Sequence, residues 1–481
     1  MTNLTCNEVF TWFFEITKIP RPSKHEEKII AFLQNFAKER SLSCKTDNAG
    51  NVLISKQASA GSENRETVVL QAHTDMVCEK NSNVDFDFST QAIDYYVDGD
   101  WLKAHGTTLG GDNGIGIAFC LAILDSKTAE HPPLECLFTV DEETGLTGAF
   151  ALKKDFLSGK TLINLDSEDD GQIFVGCAGG VNTTGILPYK TDKTPADYFA
   201  FELSVGELLG GHSGDDINKG RGNANKIINR FLWQINNETD LRLATFDGGN
   251  LHNAIPREAS AIACVPFHYK EKLRVAFNIF ESDVKNEFAA REPKLILELE
   301  SCEIPETVMD KASSDTLLNL IYALPHGVSE ISYDIAGLVE TSNNLSSVKM
   351  HNANEIEIVI SERSSIESAK NDIKNRIAAV FTLAGATVSH SDGYPGWKPN
   401  LNSQILKTAE NAYEHLFGEK ALVRAIHAGL ECGLFLEKYP ELDMISIGPQ
   451  MYGVHSPDER LSISSTEKCW QWFLEILRTA K

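Results

Sequence analysis

The sequence predicts an α/β protein in which a mostly parallel sheet, flanked by helices, is interrupted by an inserted α+β domain. Over residues 1–185, apolar strand-like runs alternate with helix-like runs, which is typical of parallel βαβ units. Residues 186–392 are richer in alternating strands and surface charge, and the first pattern returns over residues 393–481. A chain of 481 residues also exceeds what one ordinary hydrophobic core holds.

In residues 1–185, a helix is expected over 7–16, and a second from Ser23, with Glu26 as its capping-box partner, to about Lys38. An apolar run at 117–124 predicts a third helix. The predicted strands of this part cover residues 51–54, 66–71, 134–140 and 161–166.

In residues 186–392, the alternation of apolar and polar side chains indicates antiparallel strands. These strands are predicted at residues 201–205, 259–265, 294–300 and 355–360. The turn-rich stretch 392–399 predicts a hinge. A helix at 405–417 and a strand at 444–447 then follow.

Charge and composition restrict the partners and the compartment. The formal net charge of −24 argues against binding to nucleic acid or to an anionic membrane surface. The N-terminus lacks the features of a signal peptide, and the apolar run at 117–124 is far shorter than the roughly 20 residues of a membrane helix. Ten cysteines without a CxxC pair indicate reduced thiols. We therefore expect a cytoplasmic protein.

Metal-type ligands recur at the ends of predicted strands or in the loops beyond them. They are His73, Asp75, Asp112, Glu142, Glu143, Asp166 and His455. Taken singly, each has a structural explanation, such as a surface hydrogen bond, a helix cap or a solvated corner. Their recurrence indicates a metal site built from imidazole and carboxylate ligands. Five ligands with one bridging carboxylate suit two divalent ions roughly 3.5–4 Å apart.

The glycine-rich segment 106–116 has a second interpretation, because such loops also bind phosphate at the start of a helix. The pattern GxxxxGK[ST] is absent, and no lysine follows the glycines. The carboxylate of Asp112 would repel a phosphate group. These features argue against a phosphate site.

Several motifs, in their order along the chain, resemble the co-catalytic zinc exopeptidases of the aminoacylase and carboxypeptidase G2 group. The motifs are HTDMV, GTTLGGDNGIG, DEETG, NLDSE and GPQMYGVHSPDE. Further stretches extend the resemblance over essentially the whole chain and make it closest to the bacterial dipeptidases of that group. They are GCAGG, GGHSGDDINKGRGNANK, NAIPREA, YPGWKP and HAGLECGLF.

The resemblance implies two zinc ions per chain, with Mn²⁺ or Co²⁺ as possible substitutes. By this resemblance Asp112 bridges the two ions. His73 and Asp166 complete one site, and Glu143 and His455 complete the other. The other acids after Asp166, at residues 168–170, are less suited because Asp166 is at the predicted strand end.

The resemblance also assigns roles around the metals. Asp75 would orient the imidazole of His73, as carboxylates beside ligating histidines commonly do. Glu142 would be the general base that takes a proton from the zinc-activated water and passes it to the leaving amine. His212 would stabilise the tetrahedral oxyanion; without the resemblance it would be interpreted as a turn residue of a glycine-rich loop.

Residues 167–454, which separate two of these ligands, far exceed the dozen or so of a simple crossover, so a domain must be inserted. In the family this insertion, here residues 186–392, is a lid. By resemblance Asn253, Arg363 and the backbone at Gly429 bind the carboxylate end of the substrate, although Arg363 could also be a solvated charge at a strand end. Because these residues are far apart in sequence, we expect lid closure to bring them together.

The resemblance implies a metal-dependent dipeptidase for unblocked dipeptides, including Xaa-His substrates such as β-Ala-His, and implies a homodimer. The catalytic residues do not separate this activity from an aminoacylase, a tripeptidase or a carboxypeptidase of the same scaffold. An alternative outside the enzymes is a protein that binds a ligand in a metal-dependent way without catalysis. The presence of both Glu142 and His212 argues against it.

Overall fold

The structure, a computed structural model, describes residues 7–351 and 354–481. They fall into two compact units. The first unit runs up to Cys177 and includes Trp397–Ala425 and Leu430–Lys481, whereas the second comprises Ala178–Gly396 and Ile426–Gly429. The sequence-based boundaries at 186 and 392 lie inside the second unit, and the short returning segment Ile426–Gly429 was not expected.

The part of the first unit that ends at Cys177 alternates strands with helices. Its elements are α1 (Asn7–Ile16), α2 (Glu27–Glu39), β1 (Ser43–Thr46), β2 (Val52–Lys56), β3 (Val68–His73), β4 (Tyr95–Asp98), β5 (Trp101–Ala104), α3 (Gly111–Asp125), β6 (Leu134–Thr139), α4 (Glu142–Gly145), α5 (Thr147–Ala151), β7 (Thr161–Asn164) and β8 (Gln172–Cys177). Each strand and helix predicted for this stretch is present, with ends that differ by a few residues.

The second unit consists mainly of long strands and four helices that cover them. Its elements are β9 (Gly179–Pro188), β10 (Thr191–Lys193), β11 (Tyr198–Gly206), α6 (Ala224–Glu238), β12 (Arg242–Gly248), β13 (Ala259–Pro266), α7 (Lys270–Phe288), β14 (Ile296–Ser301), β15 (Thr307–Met309), α8 (Lys311–Ala323), β16 (Gly327–Ile331), β17 (Val339–His351), β18 (Glu355–Ser364), α9 (Glu367–Leu383) and β19 (Thr387–His390). Two short 3-10 helices, Ile217–Lys219 and Phe267–Tyr269, lie between them.

The last part of the chain returns to the first unit. Its elements are α10 (Gln404–Phe417), β20 (Leu422–Ile426), α11 (Cys432–Lys438), β21 (Asp443–Ser446), β22 (Met451–Tyr452), β23 (Arg460–Ser462) and α12 (Ile463–Thr479). The helix predicted at 405–417 and the strand predicted at 444–447 correspond to α10 and β21.

The main sheet of the first unit has the strand order β1-β2-β6-β3-β7-β21-β8-β20. The four central strands, β6, β3, β7 and β21, are parallel to one another. Strands β1 and β2 at one side and β8 at the other pair antiparallel. The prediction of a mostly parallel sheet flanked by helices is confirmed for this unit. The carboxyl ends of the central strands therefore share one edge, where ligands bind in such sheets.

The large sheet of the second unit is antiparallel, with the order β14-β11-β13-β12-β17-β18-β9-β19 and with β16 paired to β17. Its buried face packs against α6, α7, α8 and α9. The core between the sheet and these helices contains the fully buried rings of Phe201, Phe231, Phe246 and Phe381. The four strands predicted from alternation all belong to this sheet. Alternation was a reliable signal in stretches such as the start of β18, where Ile356, Ile358 and Ile360 are buried and the side chains between them are more exposed.

Helix α1 buries Val9, Phe10, Phe13 and Ile16 at the spacing of one helical face. The capping box predicted for the next helix is wrong. Helix α2 begins after Glu26 without a side-chain cap, and Ser23 Oγ donates instead to Asp75 Oδ2 at 2.8 Å. The Ser23 hydroxyl thus acts as a donor to a buried carboxylate, whereas a capping residue would accept a hydrogen bond from a helix N–H group.

Among the described residues, eight cysteines are free thiols: Cys44, Cys78, Cys120, Cys136, Cys177, Cys264, Cys302 and Cys432. Over the same residues, 7–351 and 354–481, each helix is too short or too polar to cross a membrane.

Candidate active site

Side chains with metal-binding groups converge at the carboxyl ends of the parallel strands in the first unit. His73 is the last residue of β3, and Asp166 lies two residues beyond β7. Glu142 and Glu143 begin the short helix α4, just after β6. The sheet brings these groups together because each lies at, or just beyond, the carboxyl end of a strand, and these strand ends share one edge.

Asp112 joins the ligands into two groups that share its carboxylate. Its Oδ1 lies 2.9 Å from His73 Nε2, which is also 3.3 Å from Asp166 Oδ1. Its Oδ2 lies 3.1 Å from His455 Nε2, which is also 3.1 Å from Glu143 Oε2. The candidate ligand atoms within each group lie within 4.8 Å of one another. This arrangement has one carboxylate oxygen available for each of two cations.

The residues around Asp112 fit a bound cation. Glu143 Oε1 is buried and has no hydrogen-bond partner among the described residues. A buried carboxylate oxygen without a donor is costly, and a cation would satisfy it. The set of two imidazoles and three carboxylates suits zinc and other borderline or hard divalent ions. The peptide bond after Asp112 is cis, and Asn113 Nδ2 donates to Asp166 Oδ1 at 2.6 Å.

Asp75 is fully buried behind the ligands and contacts both His73 and the α4 turn. Its Oδ1 lies 3.3 Å from His73 Nδ1. Its two oxygens accept hydrogen bonds from the backbone N–H groups of Glu142 and Glu143, at 3.0 and 3.2 Å. Burial alone would raise the pKa of Asp75, but His73 and these donors outweigh it and lower the pKa to about 2.

The carboxyl group of Glu142 lies in a crowded, desolvated place. Burial raises its pKa well above the usual range, against the opposing effect of His73, and the carboxylates of Asp166 and Glu431 add to the rise. A carboxylate whose proton affinity is increased in this way is suited to accept a proton during a reaction.

Glu431, which the sequence analysis did not single out, ends a row of buried polar side chains beneath the ligands. Its Oε2 accepts hydrogen bonds from Gln71 Nε2 at 2.6 Å and from Thr139 Oγ1 at 2.8 Å. The row continues along the sheet, because Asn164 Nδ2 donates to Gln71 Oε1 at 2.5 Å and Ser446 Oγ donates to Asn164 Oδ1. Each of these four partners belongs to a different parallel strand. Burial raises the pKa of Glu431 to about 8.

In the second unit, the side chain of Arg363 lies among groups that bind anions or polarise carbonyls. Its Nη1 donates to Tyr394 Oη at 2.8 Å, its Nε donates to Ser213 Oγ at 3.4 Å, and its Nη2 lies 3.4 Å from His212 Nε2. Two backbone N–H groups, at Gly214 and at residue 215, point at His212 Nδ1 from 3.3 and 3.2 Å. The guanidinium is likewise only a donor toward Nε2, so both ring nitrogens of His212 face hydrogen-bond donors.

The other two predicted substrate-binding positions lie close to the same residues. A side-chain carbon added at Gly429 would lie 2.8 Å from the ring of Tyr394, and the carbonyl of Asn253 accepts a hydrogen bond from the N–H of Ser213 at 2.8 Å. The second unit alone therefore gathers positions 212, 253, 363 and 429. The expectation that only lid closure brings them together is wrong, because the antiparallel sheet and its loops already do so.

His427 is a further residue of this cluster that sequence reasoning missed, although it lies within the stretch HAGLECGLF. It is buried, its Nε2 is 2.7 Å from Ser342 Oγ, and its Nδ1 has no hydrogen-bond partner among the described residues. Burial and the charge of Arg363 lower the pKa of His427 to about 3, so it is neutral.

Comparison with known proteins identifies the family. Residues 69–479 match the family model described as peptidase family M20/M25/M40. The chain is 43% identical to the cytosol non-specific dipeptidase of Escherichia coli, over 99% of this chain and 98% of that protein.

Solved structures give the same result. The crystal structure of aminoacylhistidine dipeptidase from Vibrio alginolyticus superposes with a TM-score of 0.93 at 41% identity, covering 100% of this chain and 98% of that one. An aminopeptidase from Bacillus cereus, at 15% identity and with 98% of each chain covered, shares the fold with a TM-score of 0.58. The resemblance found in the motifs and the expected fold are thus confirmed: the chain belongs to peptidase family M20/M25/M40.

Proposed function

We propose that this peptidase is a metal-dependent dipeptidase that hydrolyses unblocked dipeptides, Xaa-His substrates such as β-Ala-His among them. The observation that carries the proposal is the position of Asp112, whose two oxygens lie beside two separate groups of ligands. The names of the two relatives that are more than 40% identical, a non-specific dipeptidase and an aminoacylhistidine dipeptidase, support the same substrate class.

In this proposal the residues hold two divalent cations, with zinc as the preferred ion. His73 and Asp166 hold one ion, Glu143 and His455 hold the other, and Asp112 is shared. When bound, the ions supply the Lewis acidity that polarises a peptide carbonyl and acidifies a water molecule. Asp75 maintains the orientation of the His73 imidazole, since it lies at the second ring nitrogen.

Glu142 is the proposed general base. It lies three residues after the end of β6, and its backbone N–H donates to Asp75, so its position relative to the ligands is fixed by buried structure. Its desolvated carboxylate takes the proton of the attacking water and gives it to the leaving amine, which leaves Glu142 unchanged after the cycle.

The proposed roles in the second unit concern the substrate. The imidazole of His212 donates a hydrogen bond to the oxyanion that develops on the scissile carbonyl. The guanidinium of Arg363 binds the free carboxylate of the dipeptide, with Asn253 and the backbone at Gly429 as further contacts. Tyr394 keeps the guanidinium in place through the 2.8 Å hydrogen bond to its hydroxyl.

A substrate panel tests this proposal against the other activities of the scaffold. The purified protein with zinc is assayed on free dipeptides, including β-Ala-His, and on N-acetyl amino acids, tripeptides and longer peptides. We expect kcat/KM to be highest for free dipeptides by an order of magnitude or more. Preferential hydrolysis of N-acetyl amino acids would indicate an aminoacylase, and preference for longer substrates would indicate a tripeptidase or a carboxypeptidase.

We also propose that the protein acts in the cytosol, as the name of the Escherichia coli relative states for that protein. The homodimer is a prediction that light scattering at several protein concentrations tests. The net charge of −24 supports small substrates as the partners, without nucleic acid or anionic membranes among them.

A further inference from the structure

The glycine-rich segment that carries Asp112 is held on one side by a buried arginine. Arg21 is 3% exposed and, within the described part of the chain, donates hydrogen bonds to three backbone carbonyls. Its Nη1 is 3.1 Å from the carbonyl oxygen of Thr74 and 2.5 Å from that of Asp75, and its Nη2 is 2.5 Å from that of Gly110. One guanidinium therefore ties the glycine-rich segment to the residues that directly follow His73.

A buried glutamate holds the same segment from the opposite direction. Glu459, also 3% exposed, accepts hydrogen bonds from four consecutive backbone N–H groups. Its Oε2 accepts from Leu109 at 2.7 Å and Gly110 at 3.1 Å, and its Oε1 accepts from Gly111 at 2.7 Å and Asp112 at 3.4 Å. The last of these donors is the backbone of the proposed bridging ligand itself.

The glycines of this segment are explained by the two charged side chains. A side-chain carbon at Gly110, where φ is +71°, would lie 2.6 Å from Arg21 Nη2, and one at Gly114 would lie 2.8 Å from the same atom. At Gly111 it would lie 3.2 Å from Glu459 Oε1. At Gly110 and Gly114, a residue without a side chain is needed for the guanidinium to approach the backbone this closely.

We propose that Arg21 and Glu459 are a pair of positioning residues that aim the two oxygens of Asp112 and thereby set the affinity for both metal ions. The inference rests on the proposed two-metal centre. A bridging carboxylate has to present each oxygen to a different ion, so a rotation of its backbone weakens both sites together. The two side chains restrict that rotation because they bind the carbonyl and N–H groups of the backbone that leads into Asp112.

The charges of the pair are consistent with this role. Burial lowers the pKa of Arg21, but the nearby carboxylates of Asp75 and Glu459 act in the opposite direction. Burial raises the pKa of Glu459, and the nearby carboxylate of Asp112 adds to the rise, whereas its backbone donors lower it. Each charge is thus compensated by hydrogen bonds and by an opposite charge, which a buried ion requires.

The test compares Glu459→Gln with a matched substitution, Glu135→Gln. Glu135 is also a buried glutamate of the first unit, and it accepts hydrogen bonds from the N–H groups of Ser158 and Gly159, at 2.9 and 3.1 Å. Each protein is stripped of metal, its thermal unfolding is recorded, and zinc is titrated in competition with a chelator. The readouts are the stoichiometry and the affinity for zinc, which do not depend on activity.

We expect wild type and Glu135→Gln to bind two zinc ions with the same affinities. Glu459→Gln should bind both ions about 10–100-fold more weakly, the usual effect of losing a residue that supports a ligand. Arg21→Lys, which keeps the charge but loses the fork that reaches three carbonyls, should weaken both ions in the same way, and it provides the test if the glutamine variant does not fold.

The outcomes separate this inference from the proposed function. If wild type bound no zinc, the two-metal proposal would fail. If wild type bound two ions and the folded Glu459→Gln and Arg21→Lys variants bound them with unchanged affinity, Arg21 and Glu459 would be purely structural. Weakening of only one ion would also overturn the inference, because the pair acts through the shared ligand.

Discussion

The carboxylate of Asp75 accepts a hydrogen bond from the backbone N–H of Glu142, with 3.0 Å between Oδ1 and the nitrogen. The same oxygen lies 3.3 Å from Nδ1 of His73. One buried acid therefore positions both a proposed metal ligand and the residue proposed as general base. Since the backbone N–H of Glu143 also donates to Asp75, at 3.2 Å, this acid fixes the start of α4 beside His73.

We predict that Glu142→Ala keeps both metal ions but lowers kcat by about 10²–10⁴-fold, since a general base is lost and no ligand is removed. Glu143→Ala should instead lower the zinc content, because its carboxylate is 3.1 Å from His455 in the second ligand group. Metal analysis and kcat are measured on the same preparations. Exchange of the two phenotypes would show that the roles of the two glutamates are reversed.

His212→Ala is expected to leave the metal content unchanged and to lower kcat by about 10²–10³-fold, the typical cost of losing one oxyanion donor. His268→Ala, which removes an exposed histidine of the same unit, is the control and should be silent. Steady-state kinetics on one good dipeptide measure the effect. A wild-type kcat for His212→Ala would make this histidine a turn residue only.

Substrates with an amidated C-terminus test the role of Arg363. Amidation of a good dipeptide should lower kcat/KM of the wild type by at least about tenfold, because the guanidinium loses a charged, two-oxygen partner. Arg363→Ala should be impaired on the free acid and should barely distinguish acid from amide. Arg376→Ala, at an exposed arginine of the same unit, should behave as wild type. Equal rates of the wild type on acid and amide would contradict carboxylate recognition.

Glu362 predicts a dependence of stability on pH that is independent of the metal centre. Both of its carboxylate oxygens are buried, and this burial raises its pKa from 4.5 to about 8, against the lowering effects of Thr183 and Lys374. Between these values the folded protein keeps a proton that the unfolded chain releases. The free energy of unfolding should therefore fall as pH rises through this window, by up to about 1.4 kcal/mol per pH unit.

Glu362→Gln should remove this fall in the free energy of unfolding. The free energy of unfolding of the variant, relative to that of wild type, should therefore increase between about pH 5 and about pH 8. Urea unfolding of both proteins at the two pH values measures the difference. Glu298→Gln, at an exposed position of the same sheet, is the control and should show a constant difference from wild type. A constant difference for Glu362→Gln as well would mean that Glu362 is ionised in the folded protein.

The positions of the proposed metal ligands were predictable from sequence because apolar strand patterns end at residues whose side chains can bind a metal. An apolar run that ends in His73, or just before Glu142, marks both the strand and the group at its tip. The parallel centre of the sheet was predictable for the same reason, since fully buried strands read as continuous apolar runs. The antiparallel pairs at its edges were not, because pairing direction depends on contacts between distant segments.

The supporting residues could not be identified from sequence because their partners are backbone groups far along the chain. Glu459 holds the segment before Asp112, about 350 positions away, and nothing in its local pattern indicates that contact. Arg21 and Glu431 are similar cases, since each lies in a loop and is buried only through tertiary contacts. The capping box failed at Ser23 because helix α2 begins only after Glu26, and the hydroxyl of Ser23 donates to Asp75, a residue 52 positions away.

The central claim is a centre for two metal ions that share Asp112. Its most direct test is a titration of the metal-free protein with zinc, in which bound metal and dipeptide hydrolysis are followed together. The account predicts that activity is lost on chelation, that two zinc ions bind per chain, and that activity returns with them, whereas Asp112→Asn binds both ions weakly and regains little. Full activity of the thoroughly metal-free protein, or saturation at a single ion with full activity, would contradict it.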